Sequence, residues 1–382
     1  MRITAVETFV LSNRCVLVKI STDRGIAGWG EAVAENWALA TVATLERMAE
    51  HLVGRDPREI TKHWQVLTRG GFYRGGPLMG SAVAGIDQAL WDIKGRALGA
   101  PVHELLGGPA RDAVRVYAHA GGSGRTGDPD LARRRVEQGY TLVKVAPDYG
   151  PVGFLESPAW AERFVSDLRE LRDAVGPAID IAIDFHGRLS VAQSRRALSL
   201  LDDIAPAFVE EPLRPEHSAL IGELVHASPV PIATGERLYD RYEFRSVLEA
   251  GVAIVQPDLS HAGGITECFR IATQAEVYDA QIAPHCPLGA VALAACLQVD
   301  LAVPNAYAQE QVVDVHDPAS PALAILTDPS VLTPVDGAIP RLTGPGLGVD
   351  VDEDAVRERV ATGTLDAGSP IWTAADGSFA EW

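Results

Sequence analysis

From about residue 114 one rhythm repeats. Short apolar stretches alternate with helical ones: VRVYAH, TLVKVA, DIAIDF, AFVEEP, PIATGE, AIVQPD, QIAPHC and AYAQEQ. Alternating βα units predict a parallel sheet, because a crossover helix must carry the chain back between parallel strands. Eight such units predict closure into a barrel rather than an open sheet. The second strand ends on Lys144, the third on Asp184 and His186, and the fourth on Glu210. The fifth ends on Glu236, the sixth on Asp258, the seventh on His285 and the eighth on Glu310. From Asp184 the steps are 26, 26, 22 and 27 residues, each about one βα unit, which predicts one level of the barrel. Within IDIAIDFHG, Ile179, Ile181 and Ile183 alternate against Asp184 and His186. Period-two side chains therefore send the isoleucines toward the helices and the acid and imidazole toward the mouth.

Catalytic groups of such barrels stand at the carboxyl ends of the strands. Asp184, Glu210 and Glu236 would repel one another if left empty, and an oxygen-only cluster suits a hard divalent cation, Mg2+ before Zn2+. Glu211 neighbours Glu210 on a strand and is expected to point the other way, which argues against a glycosidase-type pair. Asp258 and His285 fall on neighbouring strands. A carboxylate on one imidazole nitrogen orients the ring and leaves the other nitrogen free to take a proton. Lys144 is placed to hold a carboxylate or to stabilise a developing enolate.

Upstream of the barrel, residues 1–32 alternate as three strands, with Asp23-Arg24-Gly25 as a hairpin turn, and residues 37–68 and 81–98 have helical spacing. In the second helix Val83, Ile86, Leu90, Ile93 and Leu98 share a face, and Gly99 is its expected stop; GGFYRGGPLMG at 70–80 is expected to be a loop exposing Tyr73 and Arg74. We therefore expect an α+β capping domain over residues 1–113, completed by about 340–382, and a barrel domain over 114–339. A formal net charge of -18 disfavours nucleic acid and anionic membranes as partners, and makes a local positive centre necessary for an anionic substrate. No C-x-x-C pair joins Cys15, Cys268, Cys286 and Cys296, the start MRITAVETFV reads as a strand, and 289–299 is too short to span a bilayer. A cytoplasmic protein is expected.

The motifs DFHGR, VEEP, TGER, QPDLSHAGGITE, APHCPLG and QEQ resemble the enolase superfamily, within it the mandelate racemase group. The likeness begins at VKISTDRGIAGWGEA, continues through GFYRGGP and GIDQALWDIKG, and reaches the final AEW. It implies an α+β cap over a modified (β/α)7β barrel of the TIM type, with one Mg2+ per subunit held by Asp184, Glu210 and Glu236. It also implies His285 with Asp258 as general base, His186 as general acid, Glu310 as stabiliser of the enolate oxygen, and Lys144 beside the substrate carboxylate. The activity implied is dehydration of an aldonate such as D-galactonate through a metal-stabilised enediolate, by a homo-oligomer. The rivals are a dehydratase or epimerase for another acid sugar and a non-catalytic sugar-acid binder. The dehydratase pattern within this group has Asn two residues after the lysine, where racemases of the group can carry a second lysine. This chain has Ala146 there and no second lysine, which disfavours two-base racemisation. Residues 12–18, 31–40 and 147–160 also depart from the pattern, and would line the distal end of the acid.

Overall fold

The computed structural model describes residues 1–121, 124–147, 156–312, 320–360, 365, 372–373 and 376–380. Most of the 147–160 segment and the last two residues of the final AEW, 381–382, lie outside them. The chain opens with an antiparallel sheet, β1 (Ile3–Ser12), β2 (Cys15–Thr22) and β3 (Ala27–Glu31), turning between the last two at Asp23–Gly25. Three helices follow: α1 (Ala38–Leu52), α2 (Ile60–Arg69) and α3 (Pro77–Leu98). The helical pattern expected over 37–68 is two helices, because Gly54 (φ +82°) and Pro57 interrupt it. Helix α3 starts four residues before the expected 81, since Pro77 suits a first helical turn, and it stops at left-handed Gly99. Val83, Ile86, Leu90 and Ile93 are buried as expected, but Leu98, in the last turn of α3, is 61% exposed. Phe72 and Tyr73 on the loop before α3 are exposed.

After the short α4 (Val102–Leu105) come eight parallel strands: β4 (Ala113–His119), β5 (Leu142–Val145), β6 (Asp180–Asp184), β7 (Phe208–Glu210), β8 (Ile232–Thr234), β9 (Ile254–Val255), β10 (Gln281–Ile282) and β11 (Gln309–Glu310). The helices between them are α5 (Pro129–Glu137), α6 (Pro158–Val175), α7 (Val191–Ser199), α8 (Ile221–Ala227), α9 (Arg241–Glu249), α10 (Gly264–Val277) and α11 (Ala290–Ala302). Seven helices among eight strands make a (β/α)7β barrel beneath an α+β cap. It closes in two places: β11 pairs with β4, and the Ile282 backbone exchanges bonds with Asn305 (2.9 Å) and Tyr307 (2.8 Å) just before β11. Beyond it, β12 (Ala338–Pro340) pairs antiparallel with β4, and α12 (Glu353–Glu358) reaches the N-terminal sheet through Glu353–Lys19 (2.6 Å) and Arg357–Glu7 (3.0 Å). Among the described residues no helix is long and apolar enough to cross a membrane.

One layer of the barrel interior takes a side chain from every strand: Tyr117, Leu142, Ala182, Phe208, Ala233, Ile254, Ala283 and Ala308. Four large residues and four alanines share the layer, which fills the barrel instead of leaving a pore. It is the floor of the site.

Candidate active site

Two residues beyond each floor position, the pleat brings the next side chain inward. That rule yields His119, Lys144, Asp184, Glu210, Gln256, His285 and Glu310. The fifth strand alone departs from it. There Gly235 (φ +146°) takes up an extra residue, and Glu236 joins the ring three positions after Ala233. Six of the ring residues, His119, Lys144, Asp184, Glu236, His285 and Glu310, line a cavity of about 360 Å³ whose wall also includes Arg14, Ala34, Glu35 and Trp37 from the cap. These four fall in the two cap segments, 12–18 and 31–40, expected to face the distal end of a substrate.

The structure brings together Asp184, Glu210 and Glu236, whose ligand oxygens all lie within 4.8 Å of one another. At that range and an effective dielectric of about 20, each pair of ionised carboxylates repels by roughly 3–4 kcal/mol. Lys144, almost fully buried, is the ammonium that meets this charge: its Nζ is 3.1 Å from Asp184, 2.6 Å from Glu210 and 2.9 Å from Glu310. Burial alone would push Lys144 toward neutrality, but these carboxylates outweigh it and raise its pKa well above the ordinary value. The carboxylates are left under-compensated. Burial, then the charge of Asp184, pushes Glu210 well up despite Lys144. Burial also raises Glu236, with His285 opposing. A buried set of oxygen donors short of positive charge fits a hard divalent cation.

Two imidazoles flank the triad at different members. His285 Nε2 lies 3.2 Å from Glu236, and its Nδ1 lies 2.8 Å from Asp258. Burial opposes protonation of His285, yet Glu236, Asp258 and Glu310 overcome it, so its basicity is well above normal. His186 Nε2 lies 3.1 Å from Asp184, and burial lowers its pKa despite that carboxylate. His186 faces the mouth, but strand alternation is not the reason. The strand ends at Asp184, and His186 turns in with φ +50° while its N–H donates to Asp184 Oδ1 at 2.7 Å. Such a left-handed conformation is uncommon outside glycine, though His adopts it more readily than most residues. Ile181 and Ile183 pack outward under the helices, as expected.

Asp258 does not share the level of the other strand ends. Gln256 occupies it, donating its amide to Glu210 Oε2 at 2.7 Å, and Asp258 reaches His285 from the turn two residues on. There Asp258 accepts from the Ser260 N–H (2.6 Å) and also faces His261 Nδ1 (3.6 Å). Asp258, His261 and His285 thus form a second compact group of possible ligand atoms. Glu211 turns away from the ring, as expected, to bind Thr234 Oγ1 (2.6 Å), the Gly235 N–H (2.9 Å) and the Arg237 guanidinium. Glu310 is satisfied on both oxygens: Oε1 by Lys144 and His119 Nε2 (3.0 Å), Oε2 by the Cys286 N–H (2.9 Å). Sequence reasoning missed His119, Gln256 and His261. The first two carry a signal, since each stands two residues after a floor residue.

Fold and site together define a class, a barrel enzyme with an acidic cation cradle and two separately placed imidazoles. The family models agree. Residues 2–107 match the mandelate racemase / muconate lactonizing enzyme N-terminal domain, and residues 128–355 match the enolase C-terminal domain-like family. The chain belongs to the mandelate racemase / muconate lactonizing enzyme family of the enolase superfamily. It is 45% identical, over the whole of both chains, to a protein of Ralstonia nicotianae named D-galactonate dehydratase. It is 44% identical, again over both full lengths, to one of the same name from Variovorax paradoxus. A crystal structure of an enolase from Agrobacterium radiobacter, bound to Na and L-malate, superposes with a TM-score of 0.89 at 30% identity, covering 100% of both chains.

Proposed function

We propose that this protein is a Mg2+-dependent hydro-lyase that dehydrates an aldonate, D-galactonate, to 2-keto-3-deoxy-D-galactonate. The observation that carries the reading is the division of the ring: one carboxylate triad, with His285 against Glu236 and His186 against Asp184. A base and an acid on different carboxylates of one cradle suit removal of a proton and a hydroxyl from adjacent carbons. The dehydratase name of the full-length relatives supports the same class of reaction.

Asp184, Glu210 and Glu236 are the residues to hold the cation, which when bound supplies positive charge beside the acid's carboxylate and makes the C2 proton more acidic. His285 takes that proton on Nε2, while Asp258 on Nδ1 orients the ring and stabilises the imidazolium. Lys144 meets the negative charge that develops on the enediolate, with Glu310 keeping the ammonium in place. His186 gives a proton to the C3 hydroxyl, which leaves as water. The C2–C3 double bond so formed is that of an enol, which becomes the 2-keto-3-deoxy acid. Ala146, unable to hydrogen-bond through its side chain, removes one polar contact from the substrate side without touching these steps. We further propose a capping unit of residues 1–113 completed by about 340–382, a barrel of 114–339, a homo-oligomeric assembly and a cytoplasmic location.

The test is a screen of Mg2+-loaded protein against a library of acid sugars, read as 2-keto acid formation. D-galactonate should be among the acids consumed. Turnover of another stereoisomer alone would correct the substrate, and release of a C2 epimer without keto acid would replace dehydration by epimerisation.

A further inference from the structure

The proposed function gives roles to all of the mouth ring except Gln256 and His119. Gln256 is explained by its hydrogen bond to Glu210. His119 is not. It ends β4, pairs in register with Lys144 on β5, and neighbours Glu310 on β11 across the barrel seam. Its side chain is 40% exposed, and it forms part of the cavity wall. Its Nε2 lies 3.0 Å from Glu310 Oε1, the oxygen that also accepts from Lys144. The ring is thus held by a buried carboxylate, as Asp258 holds His285, while the rest of the imidazole stays open to the cavity.

We propose that His119 is a further substrate-binding residue, fixed by Glu310 through Nε2 and offering Nδ1 to a hydroxyl on the chain of the sugar acid; this rests on the dehydratase reading above. The chemistry selects the partner. With Nε2–H donating to a carboxylate, the neutral ring carries its lone pair on Nδ1 and accepts there. A hydroxyl can donate to that nitrogen, and could equally accept from it were the ring protonated. A substrate carboxylate could only accept, and the Lys144 ammonium next to it in register is the better group for that. The C2 proton and C3 hydroxyl are engaged by His285 and His186, and the C2 hydroxyl, next to the carboxylate, would go with it to the cation, so the hydroxyl is one at C4 or beyond. His119 then reads stereochemistry on the side of the cavity formed by the first and eighth strands, opposite the Arg14–Trp37 wall in chain origin.

The experiment is calorimetric binding of a panel of aldonates, with Mg2+ present, in a His285→Asn background that prevents turnover, alongside turnover by the otherwise wild-type protein. His119→Phe, which keeps volume and removes the bond, should weaken the Kd of the best-bound acid roughly three- to tenfold. The loss should vanish for one member of a set of 4-, 5- and 6-deoxy acids. His119→Asn sets an amide oxygen near the place of Nδ1 and should restore the Kd to within about twofold, whereas His119→Gln, which reproduces only the Nε2 side, should not. An unchanged Kd in His119→Phe, or rescue by Gln and not by Asn, would overturn the proposal and leave His119 as a support for Glu310. If melting shows His119→Phe misfolded, the Asn and Gln variants alone decide. Acids that bind but are not turned over would sink the dehydratase reading while this affinity series still judged His119. An absence of binding by every acid would overturn both.

Discussion

Two sets of three acids are largely withdrawn from water in this protein, and they could hardly be treated more differently. Glu31, Asp87 and Asp92 lie in the seam beneath the cap. Glu31 accepts from the Gly289 and Ala292 N–H groups at the start of α11 (2.8 and 3.0 Å), and Asp87 from the Thr266 N–H and hydroxyl on α10 (2.8 and 2.6 Å). Asp92 accepts from Trp29 and Leu347 N–H groups (3.0 and 2.9 Å) and pairs with Arg96. Each has its own donors, and the backbone comes so close that a side chain would not fit: a Cβ on Gly264 would stand 2.6 Å from Asp87, and one on Gly346 only 1.9 Å from the Asp92 carboxylate. Asp184, Glu210 and Glu236 instead crowd one another; Asp184 and Glu210 share Lys144 with Glu310, and Glu236 faces His285. A buried acid supplied with its own hydrogen-bond donors is a fastener. Buried acids turned on each other store electrostatic energy that a cation can release.

Metal removal should break this contrast most sharply. Chelation should abolish turnover and Mg2+ restore it, and Glu236→Gln should weaken Mg2+ binding by more than the roughly 10–100-fold that losing a supporting contact costs. Glu31→Gln, in the seam, should leave Mg2+ affinity unchanged in the same titration. Full activity in chelator-treated protein would end the assignment of the triad.

The two imidazoles come next. His285→Asn should lose dehydration, by roughly 10²–10⁴-fold, together with exchange of the C2 proton for solvent deuterium. His186→Asn should lose dehydration by a similar factor while C2 exchange continues. Proton NMR of the acid in D2O reads both. Exchange at the wild-type rate in His285→Asn would place the base elsewhere, and loss of exchange in His186→Asn would merge the two roles.

In the seam the effects should fall on stability rather than on chemistry. Asp92→Ala strips Arg96 of its buried partner and orphans two N–H groups, so it should cost about 3 kcal/mol or more in urea unfolding, with Mg2+ affinity of the folded fraction unchanged. A change in affinity as large as that of Glu236→Gln would mean that the two sets are not independent.

The remaining effect, read against pH, concerns Asp87. Burial, only partly offset by Thr266, pushes its carboxyl up to about 7 from a usual 3.8. A raised folded-state pKa contributes stability that is complete below about pH 4 and lost as pH rises through 7. Asp87→Asn can keep both Thr266 contacts without the charge. Relative to wild type it should therefore gain stability between pH 4 and 7 and level off above, as unfolding at several pH values would show. A difference independent of pH would mean that Asp87 is ionised in the fold throughout.

Much of the site was legible because a strand has a period of two and a barrel repeats one unit. Lys144, Asp184, Glu210, His285 and Glu310 stand at the ring level, and Glu236 joins them past Gly235. The same pleat carries His119 and Gln256 inward. They went unread because the floor residues beneath them, Tyr117 and Ile254, identify themselves only once the layer is assembled. His186 and Asp258 escape the pleat altogether. Both lie past the last paired residue of their strands, where a left-handed turn in one case and a loop in the other decides where the side chain goes.

What the sequence determined by itself is local and periodic: eight short strands with inward and outward faces, helices ended at Gly99 or interrupted at Gly54 and Pro57, and acidic strand ends in step. Tertiary structure alone decided which carboxylates would have company. Glu31 and Glu210 are both strand-end glutamates, one in GWGEAVA and the other in AFVEEP. One meets the free N–H groups of α11 from across the cap seam, the other meets two more acids and a lysine. Coulomb energy depends on distance through space, and that distance is set by barrel closure between residues far apart in the chain.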